Sequence, residues 1–80
     1  MRFGTQTAQN AIAVTPDDDE NLEGGVCRAL YVGTSGDVAL IPAGSGTSVI
    51  FVAVPVGILP VSVTRVLATG TDADDIVALY

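Results

Sequence analysis

The chain has 80 residues, 49% of them apolar and only 15% charged, and its nine acids against three arginines leave a net charge of −6. A phosphate-binding surface needs clustered Lys and Arg, so neither nucleic acid nor an anionic membrane is an expected partner. Eighty residues make one domain at most, and a chain this short buries too little surface to be comfortable alone.

In chain order, the composition changes near Gly24-Gly25. Residues 1–24 read as a polar, extended N-terminal arm with a small apolar island at Ala11-Ile12-Ala13-Val14. Thr15-Pro16 leads into Asp17-Asp18-Asp19-Glu20, a self-repelling run expected as a solvated turn, with one helical turn over 17–22 as the most it supports. Such an arm orders where something grips it, and it can cover a sheet edge in its own subunit or in a neighbour.

Residues 25–80 read as a β-domain of five strands. The first is Val26 to Val32, followed by Gly33-Thr34-Ser35-Gly36 as a hairpin turn. The second is Asp37 to Ile41, with Val38 and Leu40 on one face, and Pro42 to Gly46 forms the next turn. The third, Ser48 to Val54, is apolar on both faces and is expected at the centre of a sheet, with Phe51 in the core. Pro55 to Pro60 reads as a bend, Val61 to Leu67 as the fourth strand, Thr69 to Asp74 as a loop and Asp75 to Tyr80 as the last strand. Short strands at this spacing predict an all-β fold, a small antiparallel β-sandwich or barrel.

The uncharged stretch from Val38 to Thr64 is interrupted by Gly44-Ser45-Gly46 and by three prolines. Its densest part is too short for a membrane-spanning helix. Arg2 is not followed by an apolar stretch of the secretory-signal kind. Internal disulfides are excluded because Cys27 is the sole cysteine, and a structural zinc site lacks ligands without histidine. Oligomerisation is the staple that remains.

Catalytic equipment is missing. The common general bases, His and Lys, are absent. Cys27 beside Arg28 reads as a small buried hydrophobe rather than an activated thiolate. Neither Asp17–Glu20 nor Asp72, Asp74 and Asp75 has the spacing of a calcium loop, so both groups read as solubilising charge, and no cofactor is expected. The glycine pairs Gly33/Gly36 and Gly44/Gly46 lack a following Gly-Lys-Ser/Thr and read as turns. Arg28 and Arg65 sit inside apolar strands. Two readings stay open for them: their heads snorkel to water, or they pair across a subunit boundary with Asp37, Asp72, Asp74 or Asp75. Together with Tyr80 at the end of the last strand, Arg28, Arg65, Asp37, Asp72 and Asp74 are the candidate subunit-interface residues.

The stretch Gly25-Val26-Cys27-Arg28-Ala29-Leu30-Tyr31-Val32-Gly33-Thr34, followed by Gly36-Asp37, resembles the head-spike base proteins of gene transfer agents and related tailed bacteriophages. The likeness continues through Val54-Pro55-Val56-Gly57-Ile58-Leu59-Pro60-Val61 and Thr64-Arg65-Val66-Leu67-Ala68-Thr69-Gly70-Thr71, and closes with Asp75-Ile76-Val77-Ala78-Leu79-Tyr80. Thr15-Pro16 with its acids resembles the family's opening segment, so the similarity runs over residues 12–80, whereas Met1 to Gln9 departs from it. The resemblance implies a virion structural protein on the outer surface of an icosahedral capsid. It would form a pentameric ring on the five-fold vertices, docked on the major capsid protein and able to carry a spike fibre. A cement protein bridging capsid subunits away from the vertices is the related alternative. From another class, a host-glycan-binding module would have to use Tyr31, Phe51 and Tyr80 without a tryptophan, and an enzyme has no visible acid–base pair.

Overall fold

Apolar runs shorter than eight residues, cut by glycine and proline, pair as strands more readily than they sustain helices. The computed structural model describes residues 7–80, and among them lie seven strands. These are β1 (Ala11–Ala13), β2 (Ala29–Thr34), β3 (Gly36–Pro42), β4 (Val49–Val54), β5 (Gly57–Leu59), β6 (Val63–Val66) and β7 (Asp74–Leu79). The part of the expected arm at residues 1–6 lies outside the described residues. A four-stranded sheet has the order β1-β7-β2-β5, a three-stranded sheet the order β4-β3-β6, and every pairing is antiparallel. The expected all-β sandwich is the architecture.

The period of two decides which residues are inside. Leu30 and Val32 of β2 with Ile76 and Ala78 of β7 point inward from the larger sheet. Val38 and Leu40 of β3 point inward from the smaller one, and so do both Val63 and Val66 of β6, because a register shift between Ile41 and Pro42 adds one residue to β6 and breaks the period there. Leu30, Val32, Val38, Leu40 and Val63 are each 0% exposed, and burial of such side chains contributes roughly 1.5–3 kcal/mol apiece. Cys27 joins this cluster as the expected buried hydrophobe.

Four expectations are corrected. The strand Val49–Val54 is not central: among the described residues β4 pairs with β3 alone and is the edge of the smaller sheet, and Phe51 is half-buried against the core. Its apolar outward residues had suggested burial on both faces, but they are exposed. Second, Gly33–Gly36 is not a hairpin turn, because β2 and β3 belong to different sheets. The chain changes sheet at Ser35, where a Cβ on Gly36 would lie 2.8 Å from the amide nitrogen of Ala73, so only glycine permits the crossing. Third, the bend Pro55–Pro60 contains β5, which pairs Leu30↔Leu59 and Val32↔Gly57. Its flanking prolines lack an amide donor and suit an edge position. Fourth, residues 17–22 form no helical turn. Instead the Asp17 carboxylate accepts a bond from the amide of Asp19 at 2.8 Å, an Asx-type turn that competes with helix.

Candidate assembly site

The apolar island Ala11–Ala13 becomes β1 and pairs with β7 along Ala11↔Leu79, Ile12↔Ala78 and Ala13↔Val77. Residues 15–23 then cross to the other sheet as a strap along β6. The amide of Asp17 donates to the carbonyl of Val66 at 2.9 Å and that of Leu22 to the carbonyl of Thr64 at 3.0 Å, which satisfies the two outward carbonyls of this strand. The edge that the polar segment covers is therefore in its own subunit. Arg65, on β6, fastens the strap: its Nε–H donates to Asn21 Oδ1 at 3.1 Å and its Nη1 to the Asp18 carbonyl at 2.8 Å. Asp18 in turn accepts from the hydroxyl and the amide of Thr69, at 2.6 and 2.9 Å. Those two bonds, with Arg65 nearby, hold its carboxyl below the ordinary aspartate value of 3.8.

Beneath the strap lies a cavity of about 150 Å³ with an apolar floor of Val14, Leu22, Val66 and Tyr80 and an acidic rim of Asp17, Glu20 and Glu23. Small-molecule sites usually run from about 300 Å³ upward. Among the described residues no group of three or more His, Cys, Asp or Glu is placed to hold a metal ion.

The opposite flank is finished differently. β4 and β5 are the outer strands of their sheets and are joined through Pro55-Val56, so both edges lie on one side. Val49, Ile50 and Val52 on β4 and Val56 in the connection are exposed, Val52 by 73%. The β4 edge carries a bulge. Val38 pairs with Phe51 but Gly36 with Val54, which leaves one extra residue, and Ala53 adopts φ +56°. Asp37 holds this kink: its Oδ1 accepts the Ala53 amide at 2.9 Å, while its carbonyl accepts the amides of Asp72 and Ala73.

The outward side of the larger sheet adjoins this flank. Ala13, Val77, Tyr31 and Ile58 are cross-strand neighbours over all four strands, with Ala29 and Leu79 in the next row. Tyr31 is 39% and Ile58 59% exposed. One face of an antiparallel sandwich sheet is ordinarily polar; this one is apolar from β1 to β5. It ends at Asp75, which has φ +56° and accepts a bond from the Thr34 hydroxyl at 3.0 Å. A Cβ on Gly33 would meet the Asp75 Cβ at 2.7 Å, so glycine is required opposite that turn.

The six sequence candidates fall into two groups. Arg65, Asp37 and Tyr80 commit polar atoms within the chain, Tyr80 by donating its hydroxyl to the Gly25 carbonyl at 3.1 Å. Asp72 and Asp74 are exposed; Arg28 is exposed too, but it also commits a polar atom within the chain, donating from Nη1 to the Thr7 carbonyl at 3.5 Å. The residues that sequence reasoning missed are Asp18 and Thr69, which lock the strap, and the apolar face around Tyr31. The signal for the face was present: Ala29–Val32 and Ile76–Leu79 are apolar without alternation. Burial pushes the Cys27 thiol up, away from the reactive thiolate.

No protein-family model matches the sequence, and no curated protein matches it. Among solved structures, a chain of the capsid of a native gene transfer agent particle, computed with five-fold symmetry, is similar at 37% identity and a TM-score of 0.79. The alignment covers 91% of this chain and 83% of that one. Identity and coverage at this level, on the same two-sheet fold, make this chain a member of the family of gene transfer agent capsid proteins.

Proposed function

We propose that this chain is a virion structural protein that decorates the outside of an icosahedral capsid, as a pentameric spike base at the five-fold vertices. The observation that carries the reading is the likeness, over most of both chains, to a protein of a gene transfer agent capsid solved with five-fold symmetry. The exposed apolar face, beside a sheet edge with no strand partner among the described residues, supports assembly with other subunits. The role is structural rather than enzymatic. Its partners are further copies of itself, the major capsid protein and a spike fibre, with Arg28, Asp72 and Asp74 as exposed charges at the contacts.

Electron cryomicroscopy of particles reconstructed without imposed symmetry tests this. Five copies ringed on a vertex, outside the shell, is the expected result. Density between capsid subunits away from the vertices would assign a cement role instead, and density inside the shell would defeat both.

A further inference from the structure

We propose that neighbouring copies of this chain join face to flank: the apolar outer face of the β1-β7-β2-β5 sheet of one copy packs on the β4 flank of the next. The inference rests on the homo-oligomer reading above and specifies its contact.

Charge argues for the occupant. The chain carries six net negative charges, and two identical copies repel unless they meet where the acids are not. Eight of the nine acids cluster on the strap, at Asp17–Glu20 and Glu23, and at the Asp72–Asp75 end; the ninth, Asp37, lies half-buried beside β4 with its carboxylate bonded to the Ala53 amide. A basic partner would be drawn to those places. The face formed by Ala13, Tyr31, Ile58 and Val77 offers it no charge, and suits another neutral apolar surface. Among the described residues, the β4 flank with Val49, Ile50 and Val52 is such a surface.

Area argues for a ring over a pair. Two six-residue strands roughly 20 Å long and two three-residue strands roughly 10 Å long, about 4.8 Å apart, make a face on the order of 300 Å². A standard stable interface uses about 800 Å² per partner. One such contact is too small to hold a free-standing dimer, whereas a closed ring uses a contact on each side of every copy. Geometry agrees. Face and flank are adjoining sides of the sandwich, meeting along β5, and not opposite ones. A head-to-tail contact between adjoining sides turns at each step, as a ring requires, where one between opposite sides would run on as a filament.

The experiment uses the full chain. Ile58→Glu on the face and Val52→Glu on the flank alter exposed side chains, and thermal melts check that each variant folds. Light scattering is expected to show the wild type as a ring and each variant as single chains. Independently, the Ile58→Cys/Val52→Cys double variant, treated with a short bismaleimide, should give a covalent ladder up to the closed ring. Each single cysteine variant should give none, since Cys27 is buried. A ring that survives both glutamate substitutions overturns the face-to-flank contact and leaves the homo-oligomer intact. So does covalent dimer from Ile58→Cys alone, which means face meets face. Loss of capsid binding with the ring intact also overturns it and gives the face to the major capsid protein. A wild-type chain that is monomeric both in solution and on the particle overturns the homo-oligomer reading itself.

Discussion

The two flanks of the sandwich end in strands of similar length and are completed in opposite ways. At β6, a polar strap supplies the missing backbone partners and Arg65 ties it down through Asn21 and Asp18. At β4 and β5, apolar side chains point outward, and among the described residues no segment covers them. A sheet edge is a liability that a chain can cover itself or leave for a partner. On one side this chain covers its own edge, and on the other no described segment does, which is the flank that the proposed ring would use.

Deleting residues 1–20 should break that contrast most completely. It removes β1, the Asp17 bond to β6 and one partner of Arg65. At about 1 kcal/mol for each backbone hydrogen bond lost, the cost is about 3–5 kcal/mol, a large part of what so small a domain has. Urea unfolding measures it; an unchanged midpoint would show that residues 1–24 are a separable arm, as their composition alone had suggested. Phe51→Ala on the open flank comes next. A fully buried phenylalanine would cost about 3–5 kcal/mol, and the half-buried Phe51 should cost about 2 kcal/mol. A loss at the full core value would mean that β4 is covered in solution.

Arg65→Ala should cost about 1 kcal/mol, since its bonds are partly solvent-exposed, and should raise hydrogen exchange at Leu22 and Asp17 while the amides of β4 stay as they were. Uniform change across both flanks would contradict a local fastening. Ala53→Gly acts in the other direction. The φ of +56° is unfavourable for alanine, so glycine should gain about 0.5–1 kcal/mol, read as a higher melting temperature; a loss would place the strain elsewhere. The smallest effect concerns pH. Asp18 titrates lower in the folded chain than in the unfolded one. Its contribution is therefore present above the unfolded value and fades as pH falls through the folded one. Asp18→Asn should flatten the stability curve in the acid range below the ordinary 3.8; equal slopes in both proteins would remove Asp18 from the strap.

Much of the larger architecture was readable from residue spacing. Alternation in Asp37–Ile41 puts Val38 and Leu40 on the inward face, and the glycines mark the ends of the runs; in Val61–Leu67 it separates Val63 from Val66, which the register shift of β6 brings into the same core. What spacing does not carry is the identity of the neighbour. Val49–Val54 looks like a buried central strand because an apolar side chain reads alike whether it meets the core or a partner subunit. Ala11–Val14 is too short to declare itself a strand until β7 is beside it, and Gly57–Leu59 is hidden between two prolines. The strap's lock joins Asp18 to Thr69 and Arg65 to Asn21, contacts between distant segments that no local pattern announces.

The kink at Ala53 has a consequence for solubility during assembly. A flat apolar edge such as β4 would template further strands of its own kind and grow into insoluble stacks when many copies accumulate. The extra residue at Val52-Ala53, anchored by Asp37, interrupts the regular row of backbone donors and acceptors that such stacking needs. The bent edge then refuses an endless series of straight strands, while a partner shaped to the bend, as in the proposed ring, is not refused.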